Sequence, residues 1–163
     1  MVTIPTLREL YDYNYWARDR QLEVCTTLGE EQFHRPAGNS FGSVRDTFAH
    51  LLDAEWVWHE RFRGRSLRSD PPWLAGLRSV DALRERWKLV EADLRDYLAG
   101  LDAEALGRPL TYVNFAGKTW TYPHWQALFH LVNHRPSTAG RSPRSCANWE
   151  QNQGRLICLS ITI

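Results

Sequence analysis

Histidines carry most of the chemistry open to this chain. His130 and His134 stand four residues apart in a stretch of helical spacing, so both imidazoles share one helix face and lie close enough to chelate a single ion. Taken alone, such a pair is more often capped or solvated than metal-bound. A third donor would have to come from a facing helix, and His50, inside an apolar run, is the best placed, followed by His59. His34 and His124 lie in or beside loops, where a solvated or locally hydrogen-bonded imidazole is the simpler role.

Four helical segments are needed to hold these residues. The first runs from Leu7 to Leu28, with Leu7, Leu10, Tyr11, Tyr15, Leu22 and Cys25 recurring largely at steps of three and four before Gly29. Residues 30 to 42 have loop chemistry, with Pro36, Gly38, Asn39 and Ser40. Ser43, with Asp46 three positions on, caps a second helix through Val44, Phe48, Leu51, Leu52, Trp56 and Phe62 to Gly64. It is apolar around much of its circumference and is expected to be the most buried.

After a polar linker, Ser79 caps a third helix carrying Leu83, Trp87, Val90, Leu94, Tyr97 and Leu98, and Gly100 stops it. Between Pro109 and Pro123 the β-branched and aromatic residues around Gly117 predict a short β-hairpin. Pro123 then suits the first turn of a fourth helix through Trp125, Leu128, Phe129, Leu131 and Val132. Pro136 predicts that this helix breaks soon after His134. The pattern is that of an all-α protein, an antiparallel four-helix bundle with a short β-hairpin before the last helix.

The chain has 163 residues, enough for one domain with a proper core and too few for two comfortable ones. Twenty Lys and Arg against 19 Asp and Glu leave a net charge of +1, so no basic field favours nucleic acid. No apolar run reaches membrane-spanning length, and residues 1 to 6 lack the pattern of a signal peptide, so a cytoplasmic protein without membrane or nucleic-acid partners is expected. Cys25, Cys146 and Cys158 are odd in number and show no C-x-x-C spacing, which predicts unpaired thiols. Eight tryptophans predict a rich aromatic core or a large apolar pocket.

The runs Leu10-Tyr11-Asp12-Tyr13-Asn14-Tyr15-Trp16-Ala17, His50-Leu51-Leu52-Asp53-Ala54-Glu55-Trp56-Val57-Trp58 and His130-Leu131-Val132-Asn133-His134 resemble, in order and spacing, the DinB-like family. The resemblance covers residues of about 5 to 134. It implies an antiparallel bundle, commonly a homodimer, with a divalent metal, zinc or nickel, held by three histidines in an open site. It also implies thiol-dependent transferase or hydrolase chemistry, in which the metal activates a water or the thiol of a small molecule toward an electrophilic substrate. The family's association with DNA damage brings no DNA-reading motif with it.

In the family pattern the last helix resembles N-H-x-x-(Y or F)-H-R-G-Q. His50 then matches the first metal ligand and His134 the second, and position 138 should hold the third; here it is Thr138. His130 lies one turn before His134 and could stand in only by shifting the metal along the bundle. Trp16, Trp56 and Trp58 are candidates to line an apolar pocket, although ordinary core packing is the commoner role for each.

The departure after His134 is abrupt, with Pro136 and Pro143 where a helix should continue. Codons read from the last base of one triplet and the first two of the next permit Ser or Thr, Phe, His, Arg, Gly and Gln in order from Arg135-Pro136. Further on they permit Arg and Gln, then Leu, and at Trp149-Glu150 only Gly. The hidden order S-F-H-R-G-Q…R-Q-L-G is family-like, which points to a one-nucleotide frame change near position 135. Two parts follow: a bundle over residues 1–134, and an out-of-frame tail over 135–163 that was not selected to pack and is expected to be weakly ordered.

Overall fold

The structure, a computed structural model, describes residues 2–36 and 41–138, with the backbone alone over 135–138. It is mostly helical. The elements in chain order are α1 (Ile4–Cys25), α2 (Glu30–His34), α3 (Val44–Phe62), a 3-10 turn (Leu74–Gly76), α4 (Val80–Ala99), α5 (Ala103–Gly107), β1 (Pro109–Val113), β2 (Thr119–Pro123) and α6 (His124–Thr138). No helix among the described residues is long and apolar enough to cross a membrane.

Local chemistry explains most of the boundaries. Thr3 caps α1 by accepting from the Thr6 amide at 3.3 Å, and Pro5 sits in the first turn, so the helix starts three residues earlier than Leu7. Ser43 and Ser79 cap α3 and α4 as expected, each Oγ accepting from a backbone amide three residues on at 3.1 Å. Residues 30–34, read as loop, form the short helix α2: the Gln32 side chain accepts from the Gly29 amide at 3.0 Å, and Phe33 is buried beneath it. The hairpin has the expected place. Pro109 pairs with Pro123 and Val113 with Thr119, and Asn114 closes the turn with Gly117 at φ +81°. Pro123 ends β2, one residue before the helix rather than within its first turn.

The fourth long helix corrects the sequence reading. It does not break after His134 but runs to Thr138, through Pro136. Proline has no N–H, so residue 136 cannot donate to the carbonyl of Val132. Asn14 on α1 supplies a donor instead, its Nδ2 reaching the Val132 carbonyl at 3.0 Å, one turn along from where Tyr11 Oη donates to the Leu128 carbonyl at 3.0 Å. A neighbouring helix thus satisfies what the proline leaves open. The weak order expected from about Arg135 onward falls on residues 135–138, whose backbone belongs to α6, and on residues 139–163, which lie outside the described residues, as do Cys146 and Cys158.

Of the four long helices, α3 packs against α4 and α6, and α1 packs against the same two. Two apolar clusters fill the space. One joins the start of α1, the end of α4, the hairpin and α6 around Leu7, Leu94 and Leu128; the other joins the end of α1, α2, the start of α3 and α4 around Leu22, Leu52 and Leu83. These six leucines are fully buried, and each contributes about 1.5–3 kcal/mol of transfer free energy.

Candidate functional site

The site is built where α3 and α6 face each other. His50, two turns into α3, places its ring 5.4 Å from that of His134 on α6, measured between centroids. On its other side the His50 ring stacks against Phe41 at 4.5 Å and 22°. Its Nε2 is buried and has no hydrogen-bond partner among the described residues. Burial lowers its pKa and holds the imidazole neutral, with a lone pair available.

His130 lies one turn before His134, its ring 5.8 Å from the latter and 5.1 Å from Trp58. Burial above all, then the neighbouring His134 and Arg61, push its pKa down to about 3. The side chain is therefore neutral at any physiological pH. The reserve candidate His59 is not in this group. It is buried at 2% exposure with its ring edge-on to Tyr97 at 6.0 Å, and Tyr97 in turn meets His124 Nε2 at 3.0 Å. His124, at the first position of α6, and the exposed His34, which bonds the Arg78 carbonyl at 2.8 Å, are both hydrogen-bonded, but to partners on distant segments rather than locally as the sequence suggested.

Asp53, to which the sequence assigns no role, stands close by along α3. Asp53 follows His50 by three positions on α3, which places the two on one helix face. Its Oδ1 is buried with no hydrogen-bond partner among the described residues. Burial, reinforced by Asp70 and opposed by Arg61, raises its pKa from 3.8 to about 6. Arg61 is itself buried and stacks on the rings of Trp58 and Tyr112, at 4.6 and 4.2 Å. The available signal was an acid at helical spacing from a histidine inside an apolar run.

The tryptophans divide. Trp58 borders His130. Trp56 packs edge-on to Trp73 at 5.6 Å in the other cluster, and Trp16 is 56% exposed on α1. The three do not form one pocket lining.

Whether the donors present suit a divalent metal can be tested on the residues themselves. Two imidazoles from facing helices fit such an ion in type and approach, but an open site takes three protein ligands. Among the described residues no group of three His, Cys, Asp or Glu could hold one. Thr138, the last residue of α6, offers by its chemistry only a neutral hydroxyl.

A mostly helical domain with one β-hairpin leading into its last helix, and histidines facing each other across two helices, is the class that fold and site define. The DinB family model matches residues 1–136, and the chain belongs to that family. It is similar to Protein DinB of Bacillus subtilis (strain 168), 25% identical over 130 residues that cover 77% of this chain and 76% of that protein.

Proposed function

We propose that this chain is an antiparallel four-helix bundle built around a divalent metal site, of which it retains two ligands, His50 and His134. The observation that carries the reading is the 5.4 Å approach of these two rings from different helices, with the His50 Nε2 buried and without a hydrogen-bond partner among the described residues. A buried imidazole nitrogen without a hydrogen bond costs free energy, about 1–3 kcal/mol, that ligation would recover.

In complete form the site would hold zinc or nickel and serve a thiol-dependent transferase or hydrolase acting on a small electrophile, in a cytoplasmic homodimer. A metal held there would lower the pKa of a bound thiol or water. With Thr138 in the third position, no complete donor set is present among the described residues. The second reading is a non-catalytic, stress- or damage-associated bundle. It is favoured by the lack of any third ligating side chain among the described residues.

Metal content of the purified chain, measured by mass spectrometry beside a Thr138→His variant and a version with the reading frame restored, tests this directly. The expected result is far less than one ion per chain for the parent and one per chain for the frame-restored protein, lost again on His50→Ala. Stoichiometric metal in the parent would show that Thr138 is no defect; none in either restored form would end the metalloprotein reading. An intact mass and a peptide map over residues 135–163 check the frame change at the protein level.

A further inference from the structure

α1 turns one side inward: Leu7, Tyr11, Asn14, Tyr15, Arg18, Leu22 and Cys25 are buried. Glu9, Tyr13, Trp16, Arg20 and Val24, on the opposite side, are exposed and follow one another at steps of four, three, four and four. This stripe is not an ordinary solvated face. Tyr13 is 61% exposed, Trp16 56% and Val24 67%. The Tyr13 and Trp16 rings stack at 5.8 Å, and the Arg20 guanidinium lies over the Trp16 ring at 5.7 Å. Adjacent Trp, Tyr and Arg on a surface are the residue types that carry most energy in protein interfaces.

The order of the residues states what covers them. From Glu9 to Arg20 the spacing is four, three, four, which is the same read in either direction. Reversed, the stripe sets Arg20 against Glu9 and Trp16 against Tyr13. A two-fold axis midway between Tyr13 and Trp16 therefore brings opposite charges together at both ends and aromatic rings together in the middle, as a self-complementary two-fold interface requires. Parallel pairing would oppose Glu9 to Glu9 and Arg20 to Arg20.

We propose that a second copy of this chain docks antiparallel on this face, with Glu9 against the partner's Arg20 and Tyr13 against the partner's Trp16. The proposal rests on the homodimer of the reading above and assigns it a face. It puts the dimer contact on α1, whereas His50 and His134 stand on α3 and α6. Trp16, one of the candidates for lining the site, is thereby assigned to the contact between copies.

Sedimentation of the full chain tests it. The parent should sediment as a dimer, and Trp16→Glu should convert it to monomer with an unchanged helical circular dichroism spectrum. Glu9→Arg alone leaves two cations facing each other at each end, and Arg20→Glu alone leaves two anions, so each variant should be monomeric. Mixed in equal amounts, the two should recover a heterodimer, which native mass spectrometry distinguishes by mass. Loss of folding in the single variants cannot produce that recovery. A dimeric parent whose variants all stay dimeric would overturn the assigned face and leave the homodimer standing; a monomeric parent at every concentration would overturn both. Failure of the mixture to pair would remove the antiparallel register.

Discussion

Two polar residues on α3, five positions apart, are treated in opposite ways. Glu55 is 1% exposed, and its carboxylate is gripped from two sides: Tyr15 Oη on α1 donates at 2.6 Å and Trp87 Nε1 on α4 at 2.8 Å. Outside those rings Arg18 stacks on both, at 4.9 and 5.3 Å, and pairs with Glu91 at 2.7 Å. His50 stacks on Phe41, lies beside a second imidazole, and has a buried nitrogen with no hydrogen bond among the described residues. Buried polar groups are normally satisfied. Glu55 follows that rule and ties three helices together, whereas His50 Nε2 and Asp53 Oδ1 have no hydrogen-bond partner among the described residues.

The contrast can be broken by substitution. Glu55→Ala removes the acceptor for two buried donors and opens a cavity, and it is expected to cost about 3–5 kcal/mol in urea unfolding. A loss below about 1 kcal/mol would show that the tie is dispensable.

Asp53 should respond with the reverse sign. A carboxyl whose pKa is higher in the folded state than in the unfolded chain adds stability that is complete below pH 3.8 and lost as pH rises through about 6. Asp53→Asn removes that loss, so at pH 7 the variant should be more stable than the parent by roughly 1–2 kcal/mol, discounted for the solvent that reaches this group. Below pH 4 the two should converge. A variant less stable than the parent at pH 7 would mean that the carboxylate has a stabilising partner in solution.

The smallest effect is expected at His50. His50→Ala forfeits ring packing against Phe41 but also an unsatisfied buried nitrogen, and the two changes oppose, leaving unfolding free energy within about 1 kcal/mol of the parent. A cost as large as that at Glu55 would make His50 a structural residue.

Much of this was legible beforehand. Ser43, Ser79 and Gly100 mark helix ends because capping is local chemistry, and the Pro109 to Pro123 hairpin is written in its β-branched residues and turn. His50 was set beside His130 and His134 from its place in an apolar run, and family resemblance then matched His50 and His134 as ligands, since nothing local says that residues 84 positions apart share a site. Asp53 was passed over because a helical acid usually faces water, and only burial makes it unusual.

Taken alone, the order of residues determined that four long helices form, the Ser43 and Ser79 caps, the hairpin and the absence of a histidine at position 138, because each depends on neighbours within a few positions. Contact between distant segments decided the rest. Pro136 reads as a helix breaker until Asn14 meets the Val132 carbonyl, and Glu55 gains a role only where Tyr15 and Trp87 close on it. In each case the deciding hydrogen bond comes from a helix far away in sequence, and no periodicity within a segment can report it.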